Sequence, residues 1–378
     1  MALKGIKVIE VIGLAPGPFC GTILADFGAN VIVVQKMDPS PFDVMSHGKR
    51  TISVNLKTKE GVKLVKKLCD TSDVFLDTFR PGVMEKLGLG PEELLKSNSA
   101  LIYARLTGYG QNGAYKFKAG HDINYTAISG VLSLLRKPKE PPKPPLNLLA
   151  DFAGGGLMCA FGIVLALFER MKSGKGQIID ASMTEGAAYV ATWLFKSRNL
   201  PIWSAEPGAN VLDGGFPFYS TYETKDGKFM AVGALEPQFY SNFLKGLQLS
   251  EDEYGQGENF DRNKNKFKEV FLTKTQDEWC QIFDNLDACV TSVVDMDTVD
   301  KNECNSTRKS FYKNDENLIV PEPAPKLLRT PGKSSGHNPL PQPGEHTVEI
   351  LKELGFNTKN INELIKNGIV YVCPKSNL

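Results

Sequence analysis

Asp151 has the surroundings most typical of a catalytic acid. It lies in the stretch NLLADFAGGGLMCAFG (residues 147–162), where apolar residues surround the carboxyl group and Gly154, Gly155 and Gly156 follow closely. Aspartate is a common helix N-cap, so capping alone explains the acid. Three glycines in a first helical turn cost roughly 2–3 kcal/mol in helix propensity, which a cap does not explain. Because glycine admits a ligand or another backbone, and helix N-terminal amides stabilise anions, the stretch also fits an acid beside an oxyanion site.

His121 is the second candidate for acid–base chemistry. It lies in KAGHDINYTAISGVL, just after the loop LTGYGQNG that follows a predicted strand. This position is the carboxyl edge of an α/β sheet, where ligands usually bind. Asp122 can cap the helix that follows, so a purely structural His-Asp pair is equally compatible with the pattern. The functional alternative is a general acid or base, since imidazole titrates near neutral pH.

Basic residues form a third candidate feature. They cluster in HGKRTISVNLK (residues 47–57), with Lys36, Arg80 and Lys86 in neighbouring predicted elements. The cluster predicts either a solvated surface or recognition of a multiply phosphorylated ligand. No pair of histidines has the spacing of metal ligands, so no metal site is expected.

The elements that would position these residues read as a doubly wound α/β domain. Strand patterns such as GIKVIEVIG, NVIVVQK, DVFLDTF and ALIYARLTGYG alternate with helical patterns, which implies βαβ units and a parallel sheet. The first turn, GLAPGPFCG, is not G-x-G-x-x-G and contains two prolines, so we interpret it as a tight turn and not a nicotinamide or flavin site. A helix is predicted from Asp151 to about Ser173, ended by Gly174. Residues 215–315 read as a smaller α+β domain, with a hairpin at Asp226-Gly227.

Composition narrows the function classes. The chain has 378 residues, enough for about two domains, and its net charge of +1 favours neither nucleic acid nor a membrane surface. Its seven scattered cysteines predict a reduced intracellular protein without disulfides. The longest apolar run, from Leu157 to Phe168, is shorter than the roughly 20 residues that a membrane span needs.

Several long motifs carry a resemblance to a known family. They are GLAPGPFC, GKRTISVNLK, FRPGVMEKLGLGPE, GHDINY, LLADFAGGGLMCA, GKGQIIDASM, EPQFY, DACVTSV and GEHTVEIL. In these motifs and their order the chain resembles the class III CoA transferase-like (CaiB/BaiF) family over nearly its whole length. Within that family it is most similar to the racemases of 2-methyl-branched acyl-CoA thioesters.

The resemblance implies an architecture. It implies a large Rossmann-like α/β domain with a doubly wound parallel sheet, a smaller α+β domain, and two chains interlocked as a homodimer. The implied boundaries are 1–190 with 330–378 for the large domain and 215–315 for the small one, joined by linkers 191–214 and 316–329. The active site would lie between the large domain of one chain and the small domain of the other.

The resemblance also implies a reaction. His121 and Asp151 would be the two bases that move the α-proton of a 2-methyl-branched fatty acyl-CoA through an enolate, with Glu236 supporting the histidine. Amides at the start of the Asp151 helix would hold the enolate oxygen. No metal, flavin or pyridoxal phosphate is expected, because CoA is part of the substrate. The implied CoA contacts are Lys36, Val54, Asn55, Leu56, Lys57, Lys86, Gly120, Asp122, Ile123, Asn124 and Tyr125.

Some positions depart from the family pattern. Where relatives commonly carry two arginines and an aspartate, this chain has Val33, Lys36 and Gln35 respectively, and Lys86 replaces a preferred arginine. Lysine keeps the charge but loses the forked geometry of arginine, so weaker phosphate binding is expected.

Two alternative functions remain open at this stage. In a CoA transferase the matching aspartate, Asp151, would attack a thioester carbonyl and form an acyl-aspartyl anhydride, which does not need His121. A non-catalytic CoA-binding protein would bind without exchanging any proton. The combination of His121 with Glu236 favours the racemase.

The C-terminal Lys-Ser-Asn-Leu bears on location. It is close to the Ser-Lys-Leu peroxisomal address but has Asn at the middle position. A branched fatty acyl-CoA substrate makes a peroxisomal location, with binding to the peroxisomal import receptor, the favoured expectation. Relatives also occur in mitochondria.

Overall fold

In a computed structural model, which describes residues 1–11, 13, 15–36 and 43–374, strands and helices alternate along the first half of the chain. The strands are β1 (Lys7–Val11), β2 (Asn30–Gln35), β3 (Arg50–Val54), β4 (Val74–Asp77), β5 (Ile102–Thr107), β6 (Ile178–Ser182), β7 (Tyr219–Glu223), β8 (Phe229–Gly233), β9 (Val290–Ser292), β10 (Phe311–Lys313), β11 (Ile319–Pro321) and β12 (Val370–Tyr371). The α-helices are α1 (Pro16–Asp26), α2 (Lys59–Cys69), α3 (Val83–Lys86), α4 (Pro91–Ser97), α5 (Asp122–Ile128), α6 (Met158–Ser173), α7 (Met183–Val190), α8 (Thr192–Ser197), α9 (Pro237–Leu247), α10 (Phe260–Phe271), α11 (Gln276–Phe283), α12 (Glu303–Arg308), α13 (Thr347–Glu353) and α14 (Thr358–Lys366).

The chain divides into two compact units. The first comprises Met1–Val131, Pro145–Ala191 and Asn305–Leu378, and the second comprises Leu132–Pro144 and Thr192–Cys304. These borders differ from the boundaries expected from sequence. The proline-rich loop 132–144 and most of the expected linker 191–214 group with the second unit, and residues 305–329, expected in the small domain and its linker, group with the first.

The first unit is built on a seven-stranded sheet with the order β12-β3-β2-β1-β4-β5-β6. Strands β1 to β6 run parallel, and β12 pairs antiparallel with β3. Successive strands extend in one direction from β1 to β3 and in the other from β4 to β6. The strand order therefore reverses between β1 and β4, and such a reversal opens a crevice at the carboxyl ends of the strands. The prediction of a doubly wound parallel α/β sheet is confirmed.

Two strands of this sheet were not predicted. The residues of β3 were counted as part of the basic cluster, although Thr51, Ile52 and Val54 are β-branched and buried. The residues of β12 follow α14. A two-residue strand carries no periodicity of its own, so only its pairing with β3 defines it.

The helix that carries Asp151 begins earlier than predicted. Leu148–Leu157 is a π-helix that continues directly into α6, and Gly174 ends α6 with a φ of 72°, as the sequence indicated. Asp151 is therefore inside the helix and not its N-cap, which corrects the sequence interpretation. A π-helical segment is rare and is often found at functional sites.

The three glycines of this segment face protein backbone. A Cβ on Gly154 would stand 2.3 Å from the Ala187 nitrogen, and one on Gly156 would stand 2.6 Å from the Pro16 carbonyl oxygen. In the same way a Cβ on Gly186 would lie 1.8 Å from the carbonyl oxygen of Gly154. The expectation that the glycines make room for a thioester is wrong, because α1 and α7 already occupy that space.

The second unit contains the antiparallel sheet β7-β8-β9 and an aromatic core. Tyr222 of β7 stacks on Phe271 of α10 with ring centroids 4.9 Å apart, and Trp279 and Phe283 of α11 pack beside them. The predicted hairpin is confirmed, since β7 and β8 pair antiparallel around Asp226-Gly227.

One helix in the described part of the chain, Leu148–Ser173, is apolar and long enough to cross a bilayer. Length and composition alone are weak evidence for a span, because core helices of globular proteins meet the same criterion. In this chain the helix contributes Cys159, Ile163 and Leu167 to the core that packs on β4 and β5.

Candidate active site

A cavity of about 450 Å³ lies at the carboxyl edge of the parallel sheet and contains both His121 and Asp151. Its other lining residues are Pro16, Gly17, Thr78, Arg80, Leu106, Thr107, Gly108, Tyr109, Lys116, Lys118, Ala119, Gly120, Asn124, Tyr125 and Met183. These residues follow β1, β4, β5 and β6, which are consecutive in the sheet and lie on both sides of the reversal in strand order. The cavity is therefore where an α/β sheet is expected to bind a ligand.

The first strand–helix turn borders this cavity. Pro16 and Gly17 begin α1 and form part of the wall. A Cβ on Gly17 would lie 2.3 Å from Cγ2 of Thr78, so glycine lets the turn approach the loop after β4. The sequence interpretation as a structural turn missed this second role as part of the wall.

His121 is held by its backbone. Its amide donates to Oδ1 of Asn124 over 3.1 Å, and its carbonyl accepts the amides of Asn124 and Tyr125 over 2.8 and 3.2 Å. These bonds place His121 at the N-cap of α5, and its side chain is exposed. An exposed imidazole at the cavity wall can exchange protons with a ligand and with solvent.

Asp122 is buried beneath the cavity wall, with 4% of its surface exposed. One carboxylate oxygen, Oδ2, accepts the amides of Ala150 and Asp151 over 2.7 and 2.8 Å, and Oδ1 accepts the hydroxyl of Thr126 over 3.1 Å. Asp122 therefore caps the helix of Asp151 as well as bonding within its own helix. The prediction that the first amides of the Asp151 helix hold an enolate oxygen is wrong, because Asp122 already takes them. Any CoA contact by Asp122 must use its backbone.

Asp151 is half-buried in the cavity wall. Burial is the main cause that raises the pKa of its carboxyl group, and the negative charge of Asp122 raises it further. The side-chain amide of Asn147, 3.5 Å from Oδ2, and the charge of His121 lower the pKa by smaller amounts. A raised pKa makes the carboxylate a stronger base, which suits a group that transfers protons.

Two tyrosines form an aromatic wall of the cavity. The rings of Tyr109 and Tyr125 meet edge to face with centroids 5.0 Å apart, and the Tyr125 hydroxyl donates to the carbonyl of Gly120. Burial, with Tyr109 and Asp151 nearby, raises the pKa of Tyr125 to about 12. A Cβ on Gly108 would lie 2.1 Å from the Tyr125 ring, so glycine is required there. Tyr125 stays uncharged at neutral pH, and the two rings present apolar surface to a ligand.

Three basic residues, Arg80, Lys116 and Lys118, also line the cavity. The sequence analysis named Arg80 but missed the two lysines. Lys118 lies over the ring of Tyr115, with its Nζ 3.5 Å from the ring centroid. The signal that could have identified them is their place in KFKAGH, directly before His121.

The basic cluster expected to bind phosphate is partly internal. Lys49 is buried and its Nζ lies 2.8 Å from Oε2 of Glu10. Arg50 forms ion pairs with Glu349 and Glu353 at 2.7 and 2.6 Å. Neither cation is available to a ligand, because each neutralises carboxylates of its own fold.

The predicted CoA contacts divide into two groups. Gly120, Asn124 and Tyr125 line the cavity, whereas Ile123 is 44% exposed outside it. The others are Lys36 after β2, Lys86 in α3, and Val54, Asn55, Leu56 and Lys57 at the end of β3 and directly after it. The side chain of Val54 is buried in the core, so only its backbone can meet a ligand.

Glu236 belongs to the second unit. It is exposed and directly precedes α9, and it is not among the residues that line the cavity. Its support of His121 stays a prediction. Among the described residues, no group of three or more His, Cys, Asp or Glu side chains is placed to hold a metal ion.

Comparison with known proteins gives a consistent result. The model of CoA-transferase family III matches residues 3–347. The chain is 52% identical to alpha-methylacyl-CoA racemase of Mus musculus and to that of Homo sapiens, with 98% of each chain covered in both alignments. Its fold is similar to that of a CaiB/BaiF family protein from Brucella suis, with a TM-score of 0.77, 24% identity, and coverage of 93% of this chain and 99% of that chain.

Proposed function

The chain belongs to CoA-transferase family III, and we propose that within this family it is an isomerase that interconverts (R)- and (S)-2-methyl-branched fatty acyl-CoA thioesters. The observation that carries this proposal is that His121 and Asp151 line one cavity at the reversal in strand order. Identity of 52% to two racemases over nearly the whole chain supports the racemase and not the CoA transferases of the family.

The reaction needs two proton-transfer groups on opposite faces of the α-carbon. One of His121 and Asp151 removes the α-proton, which gives a planar thioester enolate. The other group returns a proton to the opposite face and so inverts the centre. A placed acid or base typically contributes about 10²–10⁴-fold to the rate. The raised pKa of Asp151 makes its carboxylate a stronger base, which supports this use.

The CoA moiety is proposed to follow the carboxyl edge of the sheet. Lys36 and Lys57 are exposed directly after β2 and β3, Lys86 of α3 is exposed, and Arg80 lines the cavity. These point charges suit the phosphates of CoA, with lysine less selective than arginine. No further cofactor is proposed, since the acidity of the α-proton comes from the thioester itself.

The decisive experiment follows a chiral 2-methylacyl-CoA in D₂O by proton NMR. The racemase proposal expects the α-proton signal to disappear while the stereochemistry scrambles. Acyl transfer to free carboxylates without α-hydrogen exchange would identify a CoA transferase that uses Asp151 as nucleophile. Binding without either reaction would identify a non-catalytic CoA-binding protein.

A homodimer is also proposed, and the apolar surface of the first unit supports it. Phe161, Leu165, Phe168 and Met171 of α6 are each 50% or more exposed. A stripe of large apolar side chains of this kind is typical of an interface with another chain. In the arrangement that the family resemblance implies, Glu236 of the second copy would support His121.

Analytical ultracentrifugation tests the dimer. The wild-type chain is expected to sediment at twice the monomer mass, and Phe161→Asp with Phe168→Asp is expected to shift it to monomer and to lower racemase activity. The matched control is Ser173→Asp, which places the same charge at the exposed polar end of α6. A wild-type chain that stays monomeric at micromolar concentration would contradict the proposal.

A peroxisomal location is proposed from the substrate class and the C-terminal Ser-Asn-Leu, which would be bound by the peroxisomal import receptor. The tail, residues 376–378, lies outside the described residues. A mitochondrial pool is compatible with the same chemistry.

A further inference from the structure

The side chain of Asp122 connects the two proposed bases. Asp122 is the next residue after His121, and its Oδ2 accepts the backbone amide of Asp151 itself over 2.8 Å. The same oxygen accepts the amide of Ala150 over 2.7 Å. The α5 segment that carries the imidazole is thus bonded directly to the helical turn that carries the carboxyl group.

The hydrogen bonds of the Asp122 carboxylate fix α5 to the π-helix. Both carboxylate oxygens are used, since Oδ1 accepts the hydroxyl of Thr126 in the next turn of α5 over 3.1 Å. The carboxylate is buried, where hydrogen bonds to a charged acceptor are strongest. No Lys, Arg or His among the described residues forms an ion pair with it, so the three donors alone satisfy it.

The π-helix that carries Asp151 needs a hydrogen-bond acceptor of this kind. Leu148–Leu157 is π-helical and contains three glycines, which have poor helix propensity. Its first amides have no acceptor within the helix, and Asp122 supplies one. Without that acceptor the turn that carries Asp151 loses its hydrogen bonds to α5.

We propose that Asp122 is a positioning residue that sets the separation of His121 and Asp151 and that places its negative charge beside the turn that carries Asp151. The inference rests on the proposed racemase function. A reacting carbon must lie within hydrogen-bond reach of both bases, and a displacement of about 1 Å can cost 10²-fold in rate.

The charge of Asp122 has an effect of predictable sign on the pKa of Asp151. The groups that act on the Asp151 carboxyl are Asp122, His121 and Asn147, with Tyr125 nearby. A negative neighbour disfavours ionisation, so loss of the Asp122 charge lowers the pKa of Asp151. The limb of the pH–rate profile that reports Asp151 then moves to lower pH for both enantiomers.

Two substitutions at Asp122 separate the effect of its hydrogen bonds from the effect of its charge. Asp122→Asn keeps an oxygen for the two amides but removes the charge, so we expect kcat within about tenfold of wild type and the Asp151 limb moved to lower pH. Asp122→Ala removes both, so we expect kcat reduced about 10²-fold with KM changed only a few-fold. Asp26→Asn is the matched control, because Asp26 also accepts a backbone amide, that of Ser335, at the far end of α1.

A second readout does not depend on turnover. Amide hydrogen exchange at Ala150 and Asp151 is expected to become faster in Asp122→Ala and to stay at the wild-type rate in Asp26→Asn.

If Asp122→Ala does not fold, Thr126→Val, which removes only the Thr126 bond, is expected to lower kcat without changing KM. The positioning role would be overturned by wild-type kcat in folded Asp122→Ala or by unchanged exchange at both amides. If Asp122→Ala does not fold, wild-type kcat in Thr126→Val would overturn it. An unmoved pH limb in Asp122→Asn would overturn the role of the charge. Absence of α-proton exchange in the wild-type chain would refute the proposed function instead, while the amide-exchange result would still stand.

Discussion

Replacing Asp151 with asparagine is expected to lower kcat for racemisation by at least about 10²-fold, and His121→Asn is expected to do the same. Inversion needs one group on each face of the α-carbon, so neither base can substitute for the other. Both side chains line one cavity; Asp151→Asn preserves the side-chain volume, and His121→Asn leaves a smaller polar side chain at an exposed position. Binding of the CoA thioester is therefore expected to remain within a few-fold of wild type.

Deuterium exchange makes this prediction sharper. In each variant the remaining base still faces one enantiomer and can exchange its α-proton with D₂O without inverting it. The two variants are thus expected to exchange opposite enantiomers, as measured by proton NMR of each pure enantiomer. The matched control is Tyr109→Phe, which keeps the ring of a lining residue and removes a hydroxyl that has no proposed proton-transfer role. Full racemase activity in Asp151→Asn or His121→Asn would exclude the two-base scheme.

Gly154→Ala is expected to lower the free energy of unfolding by roughly 3 kcal/mol, the upper end of the usual cost of overpacking. The added Cβ would stand 2.3 Å from the nitrogen of Ala187, and backbone cannot move aside as a flexible side chain can. Because the π-helix packs on α7 at this point, the turn that carries Asp151 shifts with it. We therefore expect racemase activity to fall as well.

Gly162→Ala is the matched control on the same helix. Its added Cβ would meet Cγ2 of Ile179 at 3.5 Å, an ordinary contact, and alanine raises helix propensity by up to about 1 kcal/mol. Urea denaturation is expected to show this variant at least as stable as wild type. A Gly154→Ala variant that kept wild-type stability and lost only thioester binding would show that the glycine makes room for ligand.

The local sequence was sufficient for the class of the fold and for the two proposed bases. Apolar strands of four to six residues separated by amphipathic helices have one common packing solution, a parallel sheet covered on both faces. His121 could be assigned to the carboxyl edge, since that edge follows from chain direction. Asp151 was conspicuous because an ionisable group among apolar residues costs free energy unless it is used or paired.

What the sequence could not determine are contacts between segments distant in the chain. The three glycines predicted a close approach, but whether ligand or backbone made that approach depended on α1 and α7. Likewise the helix amides were expected to be free until the fold brought the Asp122 carboxylate, 28 residues away from Ala150 in sequence, to bond them. Lys49 read as a surface cation until β1 placed Glu10 beside it. The type of a residue determines what its side chain is able to bind, but the tertiary structure determines which partner lies next to it. The physical reason is that hydrogen bonds and van der Waals contacts act over a few ångströms, whatever the separation of the partners along the chain.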